Sequence, residues 1–358
     1  MQVKEFLKKL SEADGVSGYE AAVRDVVREE FSKYADQIHV DTLGNLIALK
    51  RGNATKDALR RSIMLAGHMD EIGLIVTKLD KGFLRFSTVG GFDQRVLPGQ
   101  EVVVHGRRDL SGAVGMRPPH VVSPDEREKV VPLDELFIDV GLSEHELTRM
   151  VRVGDVITMR RSFTEMANDL VCGKAFDDRA AVACIASCMQ HLTTMRHAWD
   201  LHAVATVQEE TGVKGALTSA FGIAPDLGIA IDVGHGNMLG VSEVDTVKVG
   251  GGPAIAFGPN IHPIVYSRLV DTAKSYEIAY QIEPIPGPSG TDAWAIQVTR
   301  QGIPTALLSI PLRYMHTTVE TLSVKDLERI GRLLALFIAN LDETFAEQLG
   351  LHDTHARR

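Results

Sequence analysis

The sequence is short of cysteine, of long apolar runs and of clustered positive charge, and each shortage narrows what the chain can be. Its three cysteines, Cys172, Cys184 and Cys188, are too few and too close together for a disulfide framework. The last two stand four apart on an apolar helical pattern, which marks them as core side chains. Cys172 has no assigned role beyond buried filler. No run reaches the roughly 18 apolar residues that a membrane-spanning helix needs. A formal net charge of -9, with no long block of lysine and arginine, argues against nucleic acid or an anionic membrane as the main partner. The opening stretch MQVKEFLKKLSEADGVSGYE has the spacing of an amphipathic helix ended by Gly15. It lacks the apolar core and small-residue cleavage site of a signal peptide. A cytoplasmic protein in a reducing compartment is expected.

What is present falls into two textures. SIMLAG (62–67), LHAVATV (201–207), LGIAIDV (227–233) and PTALLSI (304–310) read as short buried strands. Helical patterns alternate with them, at 177–192, 264–276 and 323–345. That alternation implies parallel crossovers and a sheet covered on both faces, a three-layer α/β/α domain. In the middle of the chain, GLIVTKLDKGFLRFSTVGG alternates apolar and polar residues around a turn at Lys81-Gly82, and further short β runs follow. One helix interrupts this segment at SEHELTRM, where Ser143 and Glu146 have capping-box spacing. The expected architecture is a discontinuous α/β domain over 1–72 and 163–350, with a mixed, mostly parallel sheet, and a small β-barrel inserted at 73–162. The tail HDTHARR (352–358) is expected to fray.

Ligands of open α/β sheets bind where the loops at the strand C-termini converge. Four strand candidates deliver ionisable residues to that edge: His68 and Asp70, Glu209 and Glu210, Asp232, and His316. Asp177 and Asp178 open the helix that follows VCGKAF. Taken singly, each has a structural explanation as a satisfied histidine, a helix N-cap, a turn or solvated charge. Their shared position argues for more. Histidines with carboxylates and no cysteine suit zinc, cobalt or manganese, whereas calcium calls for oxygen alone. Two histidines and three carboxylates can hold two ions if one carboxylate bridges, with the ions roughly 3.5–4 Å apart and sharing a water. A further carboxylate must then carry that water's proton to the leaving amine. The adjacent glutamates thereby acquire separate jobs.

Six segments, AGHMDEIGLIV, GKAFDDRAA, QEETGVKGA, AIDVGHG, SGTDAWAI and LSIPLRYMHTTVET, occur in an order that resembles the TET-type metallo-aminopeptidases of the co-catalytic zinc exopeptidase group, over nearly the whole chain. The resemblance implies an α/β/α catalytic domain, an inserted β-barrel used for dimer contacts, and assembly of such dimers into a hollow tetrahedral homododecamer. It implies two divalent metal ions per subunit, zinc or cobalt ahead of manganese. His68 and Asp232 would bind one, Glu210 and His316 the other, with Asp177 bridging. Glu209 would be the general base and acid, and Asp70 would hold the second nitrogen of the His68 ring. A cis peptide bond is implied between Asp177 and Asp178. The SGTDA loop, with Gly290, Thr291 and Asp292, would line the substrate pocket. No lysine or arginine stands in it, which favours a neutral or apolar first residue such as leucine over glutamate. Thr318 stands where many relatives have proline, and Ala181 where broader relatives often have glycine; neither removes a ligand.

The implied reaction is hydrolysis of the first peptide bond of short peptides with a free N-terminus. A related exopeptidase or N-acyl deacylase is the nearer rival. A glycoside hydrolase using Glu209 and Glu210 is the farther one, since adjacent strand residues point to opposite faces and suit a paired attack poorly. A scaffold protein without activity would be expected to have lost ligands.

Overall fold

A computed structural model describes residues 1–53 and 60–351; the HDTHARR tail lies outside the described residues. The helices are α1 (Val3–Glu12), α2 (Ala21–Phe31), α3 (Pro124–Arg127), α4 (Glu144–Met150), α5 (Phe176–His191), α6 (Lys214–Ile223), α7 (Pro263–Ser275), α8 (Asp292–Gln297), α9 (Val324–Ala339) and α10 (Glu343–Gln348). The strands begin with β1 (Gln37–Val40), β2 (Leu46–Lys50) and β3 (Ser62–His68). Next come β4 (Gly73–Asp80), β5 (Phe83–Val89), β6 (Glu101–His105), β7 (Asp109–Gly115), β8 (Phe137–Asp139) and β9 (Val156–Met159). The chain then forms β10 (Thr164–Glu165), β11 (Leu170–Gly173), β12 (Asp200–Thr206) and β13 (Leu227–His235), and ends with β14 (Ala254–Phe257), β15 (Gln281–Pro284), β16 (Thr305–Leu312) and β17 (Glu320–Ser323).

The main sheet has the order β1-β2-β12-β3-β13-β16-β14-β15. Its four central strands, β12, β3, β13 and β16, run parallel, as the strand–helix alternation predicts. β1 and β2 are antiparallel to each other, β2 to β12 and β14 to β16, while β15 runs parallel to β14, so the sheet is mixed. A central parallel strand is shielded on both faces and has no polar side to show. That is why β3 and β16 read as continuous apolar runs and are buried almost throughout. Helices α5, α7 and α9 cover one face and α6 and α8 the other, which gives the expected three layers. α5 is buried from Phe176 to Met189 because α1 and α9 close over its outer side. Cys184 and Cys188 are core, and Cys172 is buried on β11. Gly67 explains Ala181: a Cβ on Gly67 would stand 2.6 Å from that of Ala181, so helix and strand touch where only one of the two can carry a methyl.

Strands β4 to β9 close into an antiparallel barrel in the order β4-β5-β8-β7-β6-β9, filled by Leu74, Val76, Val102, Val104, Ile138 and Ile157. Lys81 and Gly82 take positive φ values of 53° and 90° in the hairpin turn between β4 and β5, the backbone that a tight hairpin twisting with its strands demands. Ser143 and Glu146 form the capping box at the start of α4. Three details differ from the sequence pattern. The single helix predicted over 323–345 is two helices, because the Asp342 carboxylate accepts the Phe345 N–H at 2.8 Å and starts α10 afresh. β13 continues through Asp232 to His235. β12 stops at Thr206, short of the glutamate pair. Among the described residues no helix is long and apolar enough to cross a membrane.

Candidate metal centre

The C-terminal edge of the four parallel strands gathers the predicted ligands. His68 is the last residue of β3 and Asp232 lies within β13; Glu209 and Glu210 follow β12, and His316 follows β16. Asp177 enters from the first turn of α5, across a cis peptide bond to Asp178 as the resemblance implies. Asp177 Oδ1 lies 3.1 Å from His68 Nε2, and its Oδ2 lies 3.3 Å from His316 Nε2. The two oxygens of one carboxylate thus face two different imidazoles. Glu210 Oε2 stands 3.6 Å from His316 Nε2, and Glu209 Oε2 stands 3.9 Å from His68 Nε2. Two donors on one tetrahedral zinc at about 2.0–2.1 Å are about 3.3–3.4 Å apart, so the closer three spacings fit shared ions. Donor atoms of His68, Asp177 and Glu210 lie within 4.8 Å of one another, and so do those of His68, Asp178 and Asp232. Asp178 stands with Asp177 in the sequence pattern, although the resemblance gives it no ligand role. It is fully buried; its Oδ2 accepts the His68 N–H at 3.2 Å, and its Oδ1 has no hydrogen-bond partner among the described residues.

The glutamate pair owes its position to other carboxylates. Gln208, with a φ of 54°, turns the chain out of β12. Glu20 accepts the Gln208 N–H at 3.2 Å, while Asp70 accepts those of Glu209 and Glu210 at 3.1 and 3.2 Å. Glu209 and Glu210 therefore sit on a pinned turn, and strand alternation is not what separates their side chains. Asp70 also differs in detail from its implied role. The His68 Nδ1 lies nearer the main-chain oxygen of Asp70, at 3.2 Å, than its carboxylate, at 3.5 Å. The carbonyl accepts the Nδ1 hydrogen, so Nε2, which faces Asp177, is the nitrogen free to give up its proton to an ion.

Sequence reasoning missed three buried supports that lay inside the segments quoted for the resemblance. The Glu320 carboxylate accepts the N–H groups of Phe176, Asp177 and His316 at 2.7, 3.2 and 3.0 Å, tying two candidate ligands together. Glu71 pairs with Lys174 at 2.7 Å and Arg179 at 3.1 Å, all three buried. Arg179 also donates to the carbonyls of Leu10, Ala13 and Met69, anchoring the N-terminal segment beneath the site. Thr318 donates from its hydroxyl to Gln100 in the barrel segment at 3.1 Å, a bond that proline at this position could not make.

Burial and like charge dominate the electrostatics. Burial pushes the Glu209 carboxyl up to about 10, with Asp232, Asp292 and Glu210 adding to the rise and His68 opposing it. Burial, with Asp177 alongside, pushes Glu210 up to about 7. Burial would raise Asp177 too, but hydrogen bonds from His316 and His68 reverse the balance and hold it well below the carboxylate range. The Asp177 hydrogen bond lifts His316 to about 9. Such a crowd of buried acids with two imidazoles is the donor chemistry of hard and borderline divalent cations, which would relieve the mutual repulsion. The site opens into a cleft of about 560 Å³ lined in part by Ser289, Gly290 and Thr291. Asp292 is not part of that lining. It is 1% exposed, accepts the Thr206 hydroxyl at 2.5 Å, and is pushed up to about 6 by burial.

Residues 44–333 match the family model described as M42 glutamyl aminopeptidase. The chain belongs to the M42 family. It is 36% identical over 344 residues to a lysyl aminopeptidase of Pyrococcus furiosus, covering 94% of this chain and 97% of that one. Among solved structures it matches a TET aminopeptidase from the marine sediment archaeon Thaumarchaeota archaeon SCGC AB-539-E09 with a TM-score of 0.91 and 34% identity, covering 97% of this chain and 98% of that one. It also matches the TET1 peptidase of Pyrococcus horikoshii, which can assemble into a tetrahedron or a large octahedral shell, with a TM-score of 0.83 and 33% identity over 95% of this chain and 100% of that one. This M42 chain is accordingly an aminopeptidase with the TET fold, and the glycoside hydrolase alternative is set aside.

Proposed function

We propose that the chain is a two-metal aminopeptidase that removes the first residue of short peptides with a free amino end. The observation that carries this reading is the Asp177 carboxylate, its oxygens 3.1 and 3.3 Å from two separate imidazoles, with Glu210 beside one and Glu209 beside the other. In this arrangement His68 and Asp232 would hold one ion and Glu210 and His316 the other, with Asp177 available to both. Bound there, zinc or cobalt, or failing these manganese, would polarise the scissile carbonyl and lower the pKa of a bound water. Glu209 takes the proton from that water and returns it to the departing amine. Asp70 and Glu320 hold the ligand-bearing backbone so that neither turn has to reorganise during the reaction.

Assembly of barrel-paired dimers into a tetrahedral dodecamer, working in the cytoplasm, is the quaternary arrangement we propose, supported by the shells formed by the Pyrococcus horikoshii relative. A panel of aminoacyl chromogenic substrates, free or N-acylated, assayed with zinc, cobalt, manganese or a chelator, tests the whole reading. Turnover of free-amine substrates only, lost on chelation, is expected. Cleavage confined to blocked substrates would instead identify the deacylase. Glu209→Gln should keep its bound metal and lose turnover, whereas Glu210→Gln should lose metal.

A further inference from the structure

The cleft contains one acid that the metal centre does not use. Glu283, on β15, reaches across Ser309 to Gly234: a Cβ built on Gly234 would lie 2.9 Å from Glu283 Oε1. Gly234 lies two residues beyond Asp232 on β13, on the same face of the strand, about 6–7 Å further along by strand rise. The Glu283 carboxylate thus sits one long side chain away from the candidate metal centre. The Ser309 hydroxyl donates a hydrogen bond to it, and its Oε2 is buried with no partner among the described residues. A buried oxygen left in that state is costly unless something supplies the missing donor. No lysine or arginine lines the cleft; the cationic partner its wall offers Glu283 is the imidazole of His235, whose charge favours the ionised carboxylate. Ile285, Leu307 and Met315 give the same cleft apolar surface, suited to the aliphatic stem of a basic residue.

We propose that Glu283 is the specificity-determining residue of this cleft and selects peptides that begin with lysine or arginine. The inference rests on the two-metal aminopeptidase reading and replaces the neutral or apolar preference suggested by the SGTDA loop alone. The side-chain ammonium or guanidinium pairs with the Glu283 carboxylate, and the α-amine and scissile bond fall at the metal centre. Gly234 is part of the device, because any side chain there would occupy the place of the carboxylate.

Lysine and norleucine p-nitroanilides test this directly, since norleucine keeps the stem and lacks the ammonium. With metal-saturated wild-type enzyme, kcat/KM for lysine should exceed that for norleucine by roughly tenfold or more, the scale of a charge-assisted hydrogen bond in a protected site. Glu283→Gln should bring that ratio toward one, and Glu283→Lys should turn the preference toward glutamate. Equal wild-type turnover of the two would overturn the proposal, and this result needs no variant to fold. So would a Glu283→Gln enzyme that loses both substrates equally, the mark of a contact to the α-amine. Absence of turnover for every free-amine substrate with every metal would instead sink the aminopeptidase site itself, and this inference with it.

Discussion

Asp70→Asn isolates the positioning of the two glutamates from their chemistry. The carboxylate spends one oxygen on the Glu209 N–H at 3.1 Å and the other on the Glu210 N–H at 3.2 Å. Asparagine keeps the shape but replaces one acceptor by an NH2 group, which sets donor against donor at one of these two bonds. A hydrogen bond to a charged group is worth about 1.5–3 kcal/mol. At about 1.4 kcal/mol per factor of ten, the loss corresponds to roughly 10–100-fold, the range seen when outer hydrogen-bond partners of metal ligands are removed. Because the Glu209–Glu210 turn moves as a unit, both functions should suffer. Metal affinity, read by chelator competition, should fall by about 10–100-fold, and kcat at saturating metal should fall as well. A variant with wild-type affinity and wild-type kcat, altered only in thermal stability, would refute the reasoning and reduce Asp70 to a structural residue.

Two further perturbations separate fold from site. Glu71→Ala leaves Lys174 and Arg179 buried without their shared partner, which should cost about 3–5 kcal/mol in denaturant unfolding; a loss under about 1 kcal/mol would show that backbone carbonyls suffice for both cations. The second concerns pH. Folding raises Glu210 to about 7 and Asp292 to about 6, from ordinary values of 4.5 and 3.8. Below those pH values the folded chain holds protons that the unfolded chain has released, so lowering the pH through that window stabilises the fold. The melting temperature of chelated protein should therefore climb as pH drops from about 8 to about 6, while metal-saturated protein, its carboxylates held ionised, should show no such climb. A chelated protein whose melting temperature rose with pH over this range would contradict the assignment.

The architecture was legible because the central strands are buried on both faces, so β3, β12, β13 and β16 announce themselves as apolar runs, and the rule for strand C-termini then locates the site. The candidate residues His68, Glu209, Glu210, Asp232 and His316 were legible for the same reason: they stand at the ends of those strands. What could not be read was anything that depends on a backbone group meeting a distant carboxylate. Glu320 reads as an ordinary acid beside Thr321, yet its two oxygens collect N–H groups from α5 and from the loop carrying His316. Glu283 lies on an edge strand amid prolines and reads as solvated charge; only the approach of β15 over Ser309 to Gly234 brings it into the cleft. Local pattern also failed at Asp342, where a helical run conceals an N-cap.

The adjacency of Glu209 and Glu210 acquires its meaning from charge balance. Asp70, Asp177, Asp178, Asp232, Asp292 and Glu320 are all buried around the pair. The fixed cations nearby are Lys174 and Arg179, and Glu71 already offsets one of them. Those two cations cannot neutralise the cluster while its acids are ionised; burial first, and the neighbouring acids after it, raise the carboxyl pKa values of Asp178, Glu209, Asp232 and Glu320. Divalent cations would supply the missing charge, which would couple metal binding to the ionisation of these carboxyls. This coupling also gives adjacency its use. Glu210 can surrender its repulsion to an ion only if the turn is fixed, and fixing that turn by Asp70 fixes Glu209 at the distance from His68 at which it can serve as a base.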